Sequence, residues 1–287
     1  MSRRTNLSDS NHIWLGPLRV RVPAVMGILN VTPDSFSDGG RFDKPEAAMR
    51  QAAEMAAAGA AIIDVGGEST RPGAAAVSEQ EELDRVIPII ESLNEVTDLP
   101  VSIDTGKPGV MRESVAAGAA MINDVYALQM EGALAAAAGL KVPICLMHMQ
   151  GKPQSMQEDP HYDDVVAEVA AFLEQRVRAC EEAGIDENLI VIDPGFGFGK
   201  THAHNVELLA NLTQLRVRDR PVLVGVSRKS TLGALTGREI RDRLPASVAA
   251  AVVACMKGAH IVRAHDVQAT VDALKVVQAV TNLGTEK

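Results

Sequence analysis

Eight short apolar runs, recurring about every 34 residues from residue 24 onward, constrain this chain more than any other feature. They are Ala24–Leu29, Ala61–Val65, Pro100–Ile103, Ala120–Ile122, Val142–Met147, Leu189–Ile192, Pro221–Val226 and His260–Val262. None shows the polar/apolar alternation of a half-solvated strand, so each reads as a strand covered on both faces, the mark of a parallel sheet wrapped by helices. Eight β/α units in ~250 residues need ~31 residues each, close to the spacing seen. Helical patterns fill the intervals. Ser78-x-x-Glu81 and Asn205 read as helix starts, with Glu79–Glu82 facing the positive end of a helix dipole. Gly59, Gly118, Gly139, Gly184 and Gly258 stand where helices should stop, and Pro88 should kink the second helix. No Gly/Ser-rich linker divides the chain. The expectation is an α/β fold, a single-domain (β/α)8 TIM barrel over residues 24–287. Residues 1–23 form a tail and a short β-hairpin (residues 11–23) that closes the barrel bottom.

Charge narrows the function. The 287 residues carry 28 Lys+Arg against 37 Asp+Glu, a net charge of −9, with no basic run. A chain of this kind is poorly suited to a phosphate backbone, so nucleic acid is not an expected partner. Any anion must meet positive charge gathered in a pocket. Cys145, Cys180 and Cys255 form no C-x-x-C pair and read as buried thiols in a reducing compartment. Residues 1–12 lack the apolar core of a signal peptide, and the Ala246–Cys255 stretch is too short to span a bilayer. A cytoplasmic protein with no membrane partner is expected.

Each apolar run gives way to polar residues at its C-terminal end. Run 1 leads into Asn30, run 2 carries Asp64 next to its last residue and leads into Gly66-Gly67-Glu68-Ser69-Thr70-Arg71, run 3 leads into Asp104, and run 4 into Asn123-Asp124. Run 5 leads into His148, run 6 into Asp193, run 7 into Ser227-Arg228-Lys229, and run 8 into Arg263 and His265. In a barrel these positions share the C-terminal rim, where such enzymes carry their sites. One polar strand end is readily a cap or turn residue; eight together require a site. Asp104, Asn123 and Asp193 suit a flat ligand with N–H donors on its edge. Lys229, Arg263 and His265 bring positive charge to adjacent strands 7 and 8, where barrels commonly hold phosphate.

Two long loops, Asn30–Gly40 and Gly66–Gly73, fit lids that exclude water. Asn30 offers an amide oxygen to Mg²⁺, which takes few protein ligands. Asp193–Lys200 resembles a nucleotide loop only superficially, since it fits neither G-x-x-x-x-G-K-[S/T] nor G-x-G-x-x-G. His202-x-His204 lies beside Asn205 at a helix start and reads as structural rather than as a metal pair. His148 is either a pocket wall or a satisfied core histidine.

Taken together, these segments resemble the bacterial dihydropteroate synthase family. The matching stretches are Met26–Gly40, Asp64–Gly73, Ser102–Thr105, Ile122–Asp124, His148–Gly151, Asp193–Lys200, Gly225–Ser230 and Arg263–Val267. They run in order over residues 24–283, and the first two are long and specific. The resemblance implies an enzyme that joins dihydropterin-methyl diphosphate to 4-aminobenzoate, releasing diphosphate with Mg²⁺ as cofactor. It assigns Asp104, Asn123, Asp193 and Lys229 to the pterin, with Asp64 close by or supporting the second loop. It gives Arg263 and His265 to the diphosphate, and Asn30 to the metal. Thr70, Arg71 and Pro72 belong to the second loop, and Ser227, Phe198 and Phe36 stand beside the aminobenzoate pocket. Asn30, Arg71, Lys229, Arg263 and His265 are the expected catalytic set. A homodimer through Ala246–Met256 and Gln268–Val280 is implied as well.

The chain contains no G-x-S-x-G and no Cys–His pair in a nucleophilic context. Direct attack by an aromatic amine on the pterin methylene, with early loss of diphosphate, fits that lack. Three other readings compete. A methyltetrahydrofolate-binding methyltransferase would not need the intact first loop or the Arg263/His265 pair. A Schiff-base aldolase on Lys229 leaves Asp104, Asn123 and Asp193 unexplained. A catalytically silent pterin-binding paralogue would bind without turnover.

Overall fold

The computed structural model describes residues 12–32, 44–69, 73, 76–153, 155–215 and 217–285. A two-stranded antiparallel hairpin, β1 (His12–Leu15) and β2 (Leu18–Arg21), precedes the barrel. The barrel strands are β3 (Ala24–Asn30), β4 (Ile62–Gly66), β5 (Val101–Asp104), β6 (Met121–Asp124), β7 (Ile144–Met147), β8 (Ile190–Asp193), β9 (Leu223–Val224) and β10 (Ile261–Ala264). They form one parallel sheet in the order β8-β7-β6-β5-β4-β3-β10-β9. A bridge between Ile192 and Val222 joins its two ends, closing the expected (β/α)8 barrel.

The helices are α1 (Lys44–Ala57), α2 (Glu79–Val96), α3 (Pro108–Ala116), α4 (Ala133–Leu140), α5 (Val165–Glu182), α6 (His202–Ala210), α7 (Ser230–Thr236), α8 (Leu244–Met256) and α9 (Val267–Thr285). Ser78 caps α2 as its sequence suggests, its hydroxyl accepting from the Glu81 N–H. Pro88 lies within α2 without ending it. Two boundary expectations change. Thr201, not Asn205, caps α6; its hydroxyl accepts from the His204 N–H while the His204 ring accepts from the Thr201 N–H. Gly139 lies inside α4, and Lys141 takes the left-handed position after it.

The barrel has two apolar layers set by the two-residue period of its strands. Outward residues such as Val25, Ile63, Ile103, Ile122, Ile144, Ile192 and Val262 pack under the helices. Inward residues Ala24, Met26, Ile62, Met121, Cys145, Val191, Leu223 and Ile261 form a second cluster with Ile13, Leu15 and Val20 of the hairpin. Ile13 and Leu15 are fully buried, and each such burial is worth about 1.5–3 kcal/mol. The hairpin is therefore the plug of the barrel bottom.

The expected seventh strand is much shorter than Pro221–Val226. Pro221 has no N–H to give, and the Val222 N–H goes to the His260 ring rather than to a ladder (3.1 Å). Only Leu223 and Val224 pair with β10.

Candidate active site

The same period builds the site. Two residues beyond the inward apolar layer, on the same face, lie Asp64 after Ile62, Asn123 after Met121, Asp193 after Val191 and Arg263 after Ile261. Asp104 follows Ser102 in the same way, and His265 and Ser227 stand one step higher. Asn30, Asp104, Asn123, Asp193 and Arg263 belong to the strands themselves, so rigid backbone aims their side chains into the mouth.

Arg263 is the hub. Its Nε donates to Asp64 Oδ2 at 2.6 Å and its Nη2 to Asp104 Oδ2 at 2.8 Å. The same Asp64 oxygen accepts from Asn123 Nδ2 at 3.1 Å. Asp64 is fully buried, and its other oxygen, Oδ1, has no hydrogen-bond partner among the described residues. An orphaned acceptor inside a mouth is what an N–H-bearing ligand would satisfy. Asp193 accepts from the Gly195 N–H with Oδ1 at 2.7 Å. The carboxylates and cations are thus interleaved, not segregated into halves as the strand order alone suggests. A guanidinium carries five N–H donors; Arg263 commits two to these carboxylates, which leaves others for an anion.

Electrostatics reflect this crowding. Burial pushes Asp104 up to about 7, helped by the neighbouring Asp64, Glu82 and Asp124 and opposed by Arg263. Burial likewise raises Asp193 to about 6 against the Gly195 N–H and the cations Lys229, Lys200 and Arg263. Lys229 is lowered to about 8 by burial, with Asp193 opposing and Arg263 adding to the shift. For Arg263 burial works against the charge, but Asp64 and Asp104 outweigh it and hold the guanidinium firmly protonated. His265 is pushed down to about 4 by burial and the cations Arg228, Arg263 and Lys229, so it meets a ligand as a neutral ring. Its Nδ1 lies 3.0 Å from Ser227 Oγ, which also accepts from the His265 backbone N–H. Lys229 Nζ stacks 4.0 Å above the centre of the Phe198 ring.

Asn30 sits across from Gly66 in the β3–β4 register. A Cβ on Gly66 would come within 3.4 Å of Asn30 Oδ1 and 3.7 Å of Asp104 Cβ, so the missing side chain opens this part of the rim. Phe36, Thr70, Arg71 and Pro72 lie outside the described residues. Asp124, paired with Asn123 at the sequence level, points the other way: its two oxygens cap the Tyr126 and Leu128 N–H groups (2.8 and 2.7 Å) and build a turn. The His202 ring contacts Thr231 Oγ1 (3.2 Å), and the His204 ring serves the α6 cap.

Two features escaped sequence reasoning. Lys107 bridges Glu68 and the buried Glu82 at the base of the second loop. Lys200 is the largest fully buried side chain among the described residues, bonded to the His148 ring at 2.8 Å. A lysine gives no sequence signal of burial. The Gly195-x-Gly197-x-Gly199 spacing before Lys200 is the one available hint that backbone carbonyls crowd together there.

The pterin binding enzyme family model matches residues 26–265. The chain is 54% identical to the dihydropteroate synthase of Escherichia coli K12 over 257 residues, covering 90% of this chain and 91% of the relative. The chain belongs to the dihydropteroate synthase family. A structure of the Xanthomonas albilineans dihydropteroate synthase with 4-aminobenzoic acid superposes with a TM-score of 0.87 at 57% identity, covering 92% of this chain and 95% of that one. The same enzyme in complex with 7,8-dihydropteroate superposes with a TM-score of 0.84 at 55% identity, covering 91% and 94%. The hub of Arg263, Asp64 and Asp104 therefore lies in a barrel shared with dihydropteroate synthases.

Proposed function

We propose that the chain is a transferase that condenses (7,8-dihydropterin-6-yl)methyl diphosphate with 4-aminobenzoate, giving 7,8-dihydropteroate and diphosphate. The observation that carries this reading is the inward ring of Asp64, Asp104, Asn123 and Asp193 around Arg263 in a dihydropteroate synthase barrel. A pterin edge alternates N–H donors with acceptors. The orphaned Asp64 oxygen, the Asp193 carboxylate and the Asn123 amide supply matching partners, and Lys229 over Phe198 supplies a cation at the ring.

In the reaction the methylene C–O bond breaks, its electron pair leaving with the diphosphate. The aminobenzoate nitrogen forms the new C–N bond and sheds a proton. No protein nucleophile is needed. Uncommitted N–H groups of Arg263 and the neutral His265 ring take up charge on the departing diphosphate as it develops. The carboxylate ring fixes the pterin plane so that its methylene faces the incoming amine.

Mg²⁺ fits the donor set as a lightly held ion. Asn30 Oδ1 is a neutral oxygen on the rim, no described residue bonds to it, and no cluster of three acidic, histidine or cysteine ligands occurs among the described residues. Asn30 would be the protein ligand of such an ion, with the substrate's phosphate oxygens supplying further donors. When bound, the ion neutralises diphosphate charge.

We further propose a homodimer through α8 and α9, supported by Val253, Met256, Val276 and Val280, which are exposed on those helices. A cytoplasmic location is supported by three unpaired cysteines. No helix among the described residues is long and apolar enough to cross a membrane. The test of the activity is chromatography of a reaction holding both substrates and Mg²⁺. Dihydropteroate and diphosphate in equal amounts are expected. Pterin bound without turnover would replace the enzyme with a silent binding protein, and neither binding nor product would remove the reading altogether.

A further inference from the structure

Lys200 ends the glycine-rich segment after β8, and the reaction makes no direct use of it. It is buried, with 2% of its surface exposed. Its Nζ lies 2.8 Å from His148 Nδ1, 3.0 Å from the Gly195 carbonyl, 3.0 Å from the Phe198 carbonyl and 3.5 Å from the His148 carbonyl. All four partners act as acceptors. His148 is driven down to about 3 by burial and by Lys200 itself, so its ring is neutral; facing an ammonium, which can only donate, its Nδ1 accepts and its proton sits on Nε2. Burial lowers Lys200 to about 7, with Asp193 opposing the shift and Lys229 adding to it, so across the acid range it is an ammonium, whose three hydrogens the three shorter contacts use.

Taking an ammonium out of water costs several kcal/mol, and a Met or Leu would fill the same volume more cheaply. A buried lysine kept here must do something an apolar residue cannot. What it does is visible in the connections. Gly195 is the residue whose N–H holds Asp193, and Phe198 carries the ring on which Lys229 stacks. His148 leaves β7, whose Met147 pairs with Asp193 in the sheet. The segment is tight enough for the position to matter: a Cβ on Gly195 would lie 1.8 Å from the His148 carbonyl oxygen.

We propose that Lys200 is a positioning residue of the pterin subsite: its buried ammonium gathers the His148 ring and the Gly195 and Phe198 carbonyls, fixing the Asp193 carboxylate and the Phe198–Lys229 pair against the substrate. This rests on the pterin reading given above. Charge supports the geometry. The groups acting on Asp193 are Lys229, Lys200, Arg263 and the buried Gly195 N–H, and the Cys145 thiol shares its neighbourhood. Lys200 is one of three cations that favour the ionised carboxylate.

The test compares Lys200→Met, Lys200→Gln and Tyr162→Phe with the unmodified protein. Tyr162 donates to the Gly199 carbonyl at 2.7 Å, so its loss loosens the same segment without removing charge. Three quantities are read: the Kd for dihydropterin-methyl diphosphate from pH 5.5 to 8.5, the KM for 4-aminobenzoate, and Tm. Lys200→Met should weaken pterin binding roughly ten- to a hundred-fold. Its acidic loss of binding should move to higher pH, and the aminobenzoate KM should change far less. Lys200→Gln should recover part of the affinity through its two N–H donors while keeping the moved acid limb. Tyr162→Phe should lower Tm and leave the acid limb in place. Lys200 variants that lose Tm but keep the pterin Kd and its pH profile would overturn the proposal. If Lys200→Met does not fold, Lys200→Gln with an unmoved acid limb overturns it equally. Failure of the unmodified protein to bind pterin would instead refute the functional reading.

Discussion

Replacing Arg263 with Ala separates what the site does from what holds it together. The guanidinium makes two short ion-paired hydrogen bonds, to a fully buried Asp64 and a nearly buried Asp104. Removing one partner of a buried pair usually costs about 3–5 kcal/mol, because the other charge is left uncompensated. Asp104 limits that cost by taking up a proton. It already sits near 7 with Arg263 opposing, so without Arg263 it titrates higher still. The pH dependence has a definite sign. An acid whose folded pKa lies above its unfolded value favours the fold below the unfolded pKa, and that contribution is lost as pH rises through the folded one. The Tm gap between the variant and the unmodified protein should therefore narrow at pH 5.5 and widen at pH 8. A domain stable by about 5–15 kcal/mol survives the loss. Turnover does not. On the proposed mechanism the variant loses a donor to the departing diphosphate, an effect expected to cost about 10²–10³ in kcat. Thermal unfolding and continuous diphosphate release, measured on the same samples at both pH values, check this. Activity falling only in proportion to the folded fraction, or a Tm gap independent of pH, would refute the reasoning.

The same geometry has other measurable consequences. The pterin kcat/KM should fall below about pH 6 as Asp193 takes up a proton and loses its acceptor, and above about pH 8 as Lys229 loses its charge; Asp193→Asn should remove the acid limb attributed to that carboxylate. Lys107→Met strands the buried Glu82 carboxylate, whose Oε1 already lacks a partner, and should lower stability by about 3 kcal/mol in urea titrations. Asn30→Ala should raise the Mg²⁺ concentration for half-maximal rate several-fold while leaving metal-free pterin affinity nearly unchanged, as a titration with and without Mg²⁺ would show. Sulfonamide mimics of aminobenzoate should inhibit in a way that added 4-aminobenzoate relieves; inhibition insensitive to aminobenzoate contradicts the pocket assignment.

The barrel was legible because its strands are apolar on both faces and regularly spaced, so eight runs mapped onto eight strands within a residue or two. The exception was the run from Pro221 to Val226. There a proline and a side-chain hydrogen bond to His260 replaced ladder bonds, and hydrophobicity alone could not show that. The rim residues were legible for the same reason: Asp64, Asp104, Asn123, Asp193 and Arg263 interrupt or end apolar strands, although that pattern alone did not separate them from Asp124, which turns away to cap Tyr126 and Leu128. Their pairing was not legible. That Arg263 spans to Asp64, 199 positions earlier, depends on β10 lying beside β3, a closure no local pattern encodes. Lys200 and Lys107 were invisible because a lysine is normally solvated, and only the packed carbonyls and carboxylates around each reveal burial. Asn205 looked like a helix start, but Thr201 won the cap, and the Asn205 amide instead accepts from the Gly197 N–H at 2.7 Å.

On the proposed mechanism the residues around Arg263 supply leaving-group support and no nucleophile, so the amine should matter little to the height of the barrier. Single-turnover rates at saturation, across ring-substituted 4-aminobenzoates of graded amine basicity, test that directly. Rates nearly independent of basicity are expected, since the diphosphate departs before the amine commits. A steep rise with basicity would show the amine pushing the diphosphate out, and would contradict the role assigned to Arg263 and His265.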